Sequence, residues 1–175
     1  MKNYHSTILV AEDDGNDREM IKVAFGGVGL TGAVHFVNDG REAIAYMMGE
    51  GKYSDRAQHP YPTFVITDLK MPHVSGLEVL AHLKANPAFA VIPTVVLPAS
   101  SAPDDIKKSY ALGASSYHVK PHSFSELRSQ LKILHDYWMT CEVPEVSTFG
   151  TWQVIQYSWM TFIKLRSSGR VCGLT

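Results

Sequence analysis

The sequence has almost no excess charge of either sign. Its 175 residues include 16 lysines and arginines against 17 aspartates and glutamates, for a formal net charge of −1. A protein that binds the phosphates of a nucleic acid needs clustered positive charge, which attracts the polyanion and releases its counterions. We therefore expect no nucleic acid among the partners of this protein.

Cysteines and long apolar runs are also scarce. The two cysteines, Cys141 and Cys172, lack the spacing of a metal site, and we interpret them as free thiols in a reducing compartment. No apolar stretch approaches the roughly 20 residues of a transmembrane helix, and the run at Ile8–Ala11 is too short for the core of a signal peptide. We expect a cytoplasmic protein with no membrane partner.

Short apolar runs instead alternate with segments of helical periodicity. The runs predict five buried strands, at Thr7–Ala11, Ala33–Val37, Thr63–Thr67, Thr94–Leu97 and Ser116–Val119. The segments predict five helices, at about 16–28, 41–48, 76–86, 101–113 and 123–138, with Ser101 capping the fourth and Ser123 the fifth. This alternation predicts an α/β fold, in which a doubly wound, five-stranded parallel sheet carries helices on both faces.

Charged residues follow three of the predicted strands. Glu12, Asp13 and Asp14 come after the first strand, Asp68 after the third and Lys120 after the fifth. The site of an open parallel sheet lies outside the carboxyl ends of its strands, so these side chains should converge. Clustered carboxylates repel one another unless a cation joins them, and Mg²⁺ prefers carboxylate and phosphate oxygens. The sequence therefore predicts a Mg²⁺ site at this edge.

Asp68 is the reactive group of this interpretation. It ends the apolar run in "VITDLKMPHVSG", and a carboxylate beside a divalent cation and a lysine can attack phosphorus. We interpret Asp68 as a phosphoacceptor and Lys120 as a phosphoryl contact. Each feature alone has an ordinary explanation, as helix-start acids, a turn-forming aspartate or a Lys-Pro loop. Their coincidence at the ends of separate strands favours the site.

Three segments resemble the receiver domains of two-component response regulators: "ILVAEDD", "VITDLKMPHVSG" and "GASSYHVKP". Asp68 and Lys120 lie 52 positions apart, which is the usual interval in that family. The resemblance covers about residues 7–138 and implies a flavodoxin-like fold of the receiver type. It is strongest toward single-domain regulators associated with phytochromes, through "VVLPASSAPDDIKKSYALGASSYHVKP" and "LKILHDYW".

The resemblance implies roles for the metal ligands and the phosphoacceptor. Asp13 would bind Mg²⁺ directly and Glu12 would act through water. Asp68 and the backbone carbonyl of Lys70 would complete the protein ligands. Asp68 would accept its phosphoryl group from a sensor histidine kinase, with a phytochrome-type kinase as the candidate.

The resemblance also implies roles around the phosphoryl group. Lys120 and the backbone N–H of Ala99 would bind the phosphoryl oxygens, and Tyr117 matches the aromatic switch position on the fifth strand. One position departs from the family: Pro98 stands where a serine or threonine hydroxyl is expected. Proline has neither a hydroxyl nor an N–H, although Ser100 would supply a hydroxyl if its loop shifted.

Two functions therefore stay open at this stage. One is a phosphoacceptor response regulator whose coupling to Tyr117 and to the helix after Ser101 is weakened by Pro98. The alternative is an interaction module of the same fold that works without phosphorylation.

Two further classes match the sequence less well. A haloacid-dehalogenase-type phosphatase needs a second aspartate two residues after its nucleophile, where this chain has Lys70. A flavodoxin-like nucleotide binder needs a glycine-rich phosphate loop after the first strand, and none follows it. We expect a signalling protein and not an enzyme.

The chain is predicted to divide into a receiver domain at 1–142 and an extension at 143–175. The extension is too short for a winged-helix output domain, and its role is unknown. The predicted helix from Asp104, the fifth strand and the last helix form the face through which receivers often dimerise. Aromatic residues near this face, Tyr110, Tyr117, Tyr137 and Trp138, suit an interface and equally suit ordinary packing. A homodimer through this face is a hypothesis.

Overall fold

A computed structural model describes residues 7–30, 34–144 and 146 of the chain. Its strands are β1 (Ile8–Ala11), β2 (Val34–Val37), β3 (Phe64–Thr67), β4 (Thr94–Val96) and β5 (Ser116–Tyr117). Its helices are α1 (Gly15–Gly26), α2 (Gly40–Met48), α3 (Gly76–Ala85), α4 (Pro103–Ala111) and α5 (Phe124–Thr140), and a 3₁₀ turn covers Gly51–Tyr53. All five predicted strands and all five predicted helices are present.

The strands form one parallel sheet in the order β2-β1-β3-β4-β5. Ala11 pairs with Thr67, and Thr67 pairs with Val96, so the central strands end level with one another. Pairing continues past β5, where the N–H of His118 donates to the carbonyl of Val96 at 2.8 Å. Because parallel strands that end level deliver the following residues to one edge, the topology builds the site there. The predicted doubly wound fold is confirmed.

Two apolar clusters hold helices against the two faces of the sheet. Val95 packs with residues of α1 and α5, and its neighbour Val96 packs with Leu80 of α3. Successive side chains of a strand point to opposite faces, so α1 and α5 cover one face and α3 the other. Helices α2 and α4 both contact α3. Burial of each large aliphatic side chain in such clusters stabilises the fold by about 1.5–3 kcal/mol.

Helix starts near the site are set by their caps. Asp14 is the N-cap of α1, where its side chain accepts the backbone N–H groups of Asn16 and Asp17 at 2.8 and 3.0 Å. The predicted Ser123 cap of α5 is confirmed by its bond with the N–H of Glu126. The predicted Ser101 cap is wrong: α4 begins at Pro103, and its N-cap is Ala102, which makes no side-chain bond.

Other predictions from the sequence concern its membrane character, its cysteines and its C-terminal extension. Among the described residues, none of the helices has both the length and the apolar character needed to cross a membrane. Cys141 is a free thiol, and Cys172 lies outside the described residues. Most of the predicted extension 143–175 also lies outside them, so the boundary after residue 142 stays a prediction.

Candidate functional site

The acidic residues after β1 and β3 meet at the carboxyl edge of the sheet. Glu12 is 1% exposed, Asp68 is half-buried and Asp13 is exposed. Each of the three offers a carboxylate oxygen, and these oxygens all lie within 4.8 Å of one another. The structure therefore brings Glu12, Asp13 and Asp68 together, as the sequence predicts.

Lys120 brings a positive charge into this acidic group. Its Nζ lies 2.7 Å from Glu12 Oε2 and 3.2 Å from Asp68 Oδ2. The backbone places it there, because the N–H of Lys120 donates to the carbonyl of Pro98 at 2.8 Å and so continues the pairing of β5 with β4. Only 10% of the Lys120 side chain is exposed, which strengthens its interactions relative to those of a surface lysine.

Asp17 belongs to the same group, and the sequence analysis missed it. It lies in the first turn of α1, and its Oδ2 is 2.7 Å from Lys120 Nζ. The sequence did contain a signal for Asp17, because an acid three residues after the Asp14 cap faces the carboxyl edge of the sheet once α1 starts at Gly15. Asp14 itself bonds within its own helix turn, as the helix-start explanation proposed.

Burial and ion pairing act in opposite directions on these groups. Burial raises the pKa of Glu12 to about 7, against the opposing effects of its hydrogen bond and charge interaction with Lys120. Burial alone would lower the pKa of Lys120, but hydrogen bonds with Asp17 and Glu12 outweigh it and raise that pKa above its usual value. Lys120 therefore stays an ammonium group.

The turn after Asp68 explains the glycine in "VITDLKMPHVSG". The N–H of Asp68 donates to the carbonyl of Ala11 at 3.0 Å, which ties the acid to β1. The N–H of Gly76 donates to the carbonyl of Leu69 at 3.0 Å. A Cβ at position 76 would lie 1.9 Å from the carbonyl oxygen of Asp68, so only glycine lets α3 begin this close to the residue that follows β3.

Two predicted contacts involve backbone groups. Lys70 is exposed and lies two residues after Asp68. Ala99 and Lys120 border one cavity of about 210 Å³, together with Asp17 and His122. The role of the Lys70 carbonyl as a metal ligand and that of the Ala99 N–H as a phosphoryl contact stay predictions.

Pro98 and Tyr117 connect the site to the loop before α4. Pro98 is buried and lies two residues after the end of β4. Tyr117 packs against the cluster that contains Val96 and Leu80, and its hydroxyl donates to the carbonyl of Ser100 at 2.8 Å. Tyr117 therefore holds the loop in place by a bond that does not depend on a hydroxyl at position 98.

Comparison with known proteins gives the family of this fold and site. A family model for the response regulator receiver domain matches residues 8–132. The probable methanogenesis regulatory protein FilR2 of Methanothrix harundinacea is 33% identical over 132 residues, which are 75% of this chain and 83% of the relative. Response regulator Rcp1 of Synechocystis sp. is 29% identical over 137 residues, which are 78% of this chain and 91% of Rcp1.

Solved structures agree with the sequence comparison. The phosphorylated cyanobacterial phytochrome response regulator RcpA has a TM-score of 0.74 at 34% identity, over 81% of this chain and 99% of RcpA. The Mn²⁺-bound form of Rcp1 has a TM-score of 0.71 at 29% identity, over 79% of this chain and 99% of that chain. The chain therefore belongs to the response regulator receiver domain family, which serves two-component signalling, and is similar in sequence and structure to phytochrome response regulators.

Proposed function

We propose that Asp68 is the phosphoacceptor of this response regulator and receives its phosphoryl group from a sensor histidine kinase. The observation that supports this most directly is the contact between Lys120 Nζ and Asp68 Oδ2 inside a group of carboxylates. In the transfer, a carboxylate oxygen of Asp68 bonds to phosphorus, and the bond from phosphorus to the histidine nitrogen breaks, so that the nitrogen leaves with the electron pair. Lys120 and the N–H of Ala99 bind the phosphoryl oxygens.

We propose that the acidic group also binds Mg²⁺. The residues fit a hard divalent cation, because Glu12, Asp13 and Asp68 each offer a carboxylate oxygen and these oxygens lie within 4.8 Å of one another. Asp13, Asp68 and the carbonyl of Lys70 are the proposed direct ligands, and Glu12 acts through water. When bound, the ion supplies positive charge to the oxygens of the transferring group. Binding of Mn²⁺ by Rcp1, a relative of this chain, supports a divalent metal here.

Phosphorylation by acetyl phosphate tests the proposal. The purified protein is expected to gain one acid-labile phosphoryl group by intact mass, only with Mg²⁺ present, and Asp68→Asn is expected to gain none because an amide is not a nucleophile toward phosphorus. Asp14→Asn is the matched control, since it removes a neighbouring exposed carboxylate and asparagine also caps helices well. An adduct that persists in Asp68→Asn would contradict the proposal.

Two partners are proposed, a phytochrome-type kinase because of the similarity to RcpA and a second copy of the chain because of exposed aromatic side chains. Similarity to RcpA supports a phytochrome-type kinase as the phosphoryl donor. The face formed by α4, β5 and α5 exposes Tyr110 at 51% and Tyr137 at 58%, which suits a homodimer, whereas Trp138 packs against the core. Sedimentation that shows only monomer at high concentration, with and without a phosphoryl analogue, would contradict the dimer.

Pro98 supports a second candidate, an interaction module that works without phosphorylation. Pro98 brings no hydroxyl to the phosphoryl group, and Tyr117 already bonds to the Ser100 carbonyl. If phosphorylation survives with weakened coupling, Pro98→Thr should restore the missing hydroxyl bond and enlarge the shift of α4 resonances on adding beryllofluoride. The measurement is an NMR spectrum of each variant with and without the analogue.

Pro98→Val is the matched control for that experiment, because valine has the shape of threonine without its hydroxyl. We expect the threonine variant to respond about twofold more strongly than the valine variant. A hydrogen bond of about 1 kcal/mol that forms only with the phosphoryl analogue shifts the equilibrium between the two states toward the bound conformation. Equal responses would show that the hydroxyl position is not what limits coupling and would favour the phosphorylation-independent module.

A further inference from the structure

Lys120 is held by a carboxylate that the proposed chemistry does not use. The ammonium group of lysine has three N–H donors, and three carboxylates surround it here. Asp17 Oδ2 and Glu12 Oε2 both lie at 2.7 Å from Nζ, whereas Asp68 Oδ2 lies at 3.2 Å. The phosphoacceptor therefore has the longest of the three contacts.

Asp17 reaches Lys120 from a different element than the other acids. Glu12 and Asp68 follow strands of the sheet, whereas Asp17 belongs to α1. The backbone N–H of Asp17 bonds to the Asp14 cap, so the helix start fixes where its side chain can reach. Asp17 also borders the 210 Å³ cavity that contacts Lys120 and Ala99. An anionic phosphoryl donor that enters through this cavity passes its carboxylate.

We propose that Asp17 is a positioning residue that holds the Lys120 ammonium group toward α1 and thereby slows phosphorylation of Asp68. This inference rests on the proposed function, since it concerns the rate at which Asp68 is phosphorylated. Two effects act in the same direction. Asp17 competes with the incoming phosphoryl oxygens for the donors of Lys120, and its negative charge repels an anionic donor.

The first test compares three variants at saturating Mg²⁺ and low ionic strength. With acetyl phosphate, a carboxylate oxygen of Asp68 bonds to phosphorus, and the bond from phosphorus to the acetyl oxygen breaks, so that acetate leaves with the electron pair. Asp17→Asn is expected to raise this rate about three- to tenfold. Asp17→Glu, which keeps the charge, should retain the native rate. The increase should shrink as salt screens the charge.

Glu19→Gln is the matched control for the loss of one negative charge from α1. Glu19 is exposed and pairs with Lys22 at 3.6 Å, so its removal should leave the rate unchanged. Mg²⁺ affinity and the phosphorylation rate together give a readout that misfolding would not mimic. Asp17→Asn should weaken Mg²⁺ binding, because the site loses one negative charge, while it raises the rate at saturating Mg²⁺. A damaged fold would lower both.

The second test follows Lys120 itself without any phosphorylation. In ¹⁵N-lysine-labelled protein, the Lys120 ammonium signal is assigned by its loss in Lys120→Met. We expect that signal to be protected from hydrogen exchange in the native protein and in Asp17→Glu, and to exchange much faster in Asp17→Asn.

The two tests separate the inference from the proposed function. If Asp17→Asn matches Glu19→Gln in both the rate and the Lys120 signal, the inference is overturned. If the native protein is not phosphorylated at all, the proposed function fails, and the effect of Asp17 on the phosphorylation rate fails with it. The Lys120 signal then decides only the positioning role: faster exchange in Asp17→Asn supports the hold of Asp17 on Lys120, and unchanged exchange overturns it.

Discussion

Lys120→Met is expected to slow phosphorylation of Asp68 by roughly two to three orders of magnitude, the range seen when one preorganised donor to a charged transition state is removed. The same change should destabilise the fold in the absence of Mg²⁺. Glu12 is 2% exposed at its side chain and Asp68 13%, so their charges lose a partner in a poorly solvated place. Removing one partner of a buried pair destabilises by about 3–5 kcal/mol.

The expected loss of stability lies at or just below the lower limit of that range, at about 2–3 kcal/mol. Burial already raises the pKa of Glu12 to about 7, and Lys120 is the group that opposes this rise. Without Lys120, Glu12 can take up a proton and so avoid part of the penalty. Urea unfolding with and without Mg²⁺ measures the effect, and Mg²⁺ should stabilise Lys120→Met more than the native protein, because it replaces the missing cation.

Lys132→Met is the matched control for this prediction. Lys132 is an exposed lysine of α5 that pairs with Asp136, and a pair of this kind contributes about 0–1 kcal/mol. If Lys120→Met were as stable as Lys132→Met, and Mg²⁺ stabilised both equally, then Lys120 would not be the cation that balances the acidic group.

Gly76→Ala is expected to destabilise the fold by about 3 kcal/mol, the upper range for overpacked sites, and to slow phosphorylation. The added Cβ would lie 1.9 Å from the carbonyl oxygen of Asp68 and 3.0 Å from Thr67 Oγ1. The first is a backbone oxygen and cannot rotate away, and the second belongs to a fully buried side chain whose hydroxyl donates to that same carbonyl. Either the start of α3 or the end of β3 must move, and the second of these displaces the phosphoacceptor.

Gly15→Ala provides the comparison, because Gly15 and Gly76 each begin a helix next to the site. A Cβ at position 15 would meet only Arg18 Nη2, at 3.8 Å. Alanine also reduces the freedom of the unfolded chain, so this variant should be neutral or more stable by up to about 1 kcal/mol. Urea unfolding midpoints measure the stability of both variants. Equal midpoints would show that the turn does not require glycine at position 76.

The sheet and the Asp68–Lys120 pair were predictable from the sequence, because both depend on local signals. Apolar runs mark buried strands, and the parallel order brings the residues that follow them to one edge. The contact of Asp17 with Lys120 was not predicted, because it depends on the first residue of α1. Moving that start from the predicted Asn16 to Gly15 follows from the Asp14 cap, a detail that periodicity alone does not resolve.

Two other features could not be predicted from hydrophobic periodicity. Ser101 has the chemistry of a cap, but α4 begins at Pro103, because proline has the backbone angle of a first helical residue and needs no N–H partner. The loop before β3 is held by Arg56, which donates to the carbonyls of Tyr46 at 2.8 Å and Met47 at 2.7 Å at the end of α2. The hydrophobic periodicity of the sequence does not predict such a contact.

The most direct test of the account locates the phosphoryl group on the chain. The protein is phosphorylated with acetyl phosphate and Mg²⁺ and then reduced with borohydride, which converts an aspartyl phosphate to homoserine, and the modified peptide is sequenced by mass spectrometry. We expect homoserine at position 68 and at no other position, dependent on Mg²⁺. Homoserine at Asp13 or Asp17, or none at any position in protein that binds Mg²⁺, would contradict it.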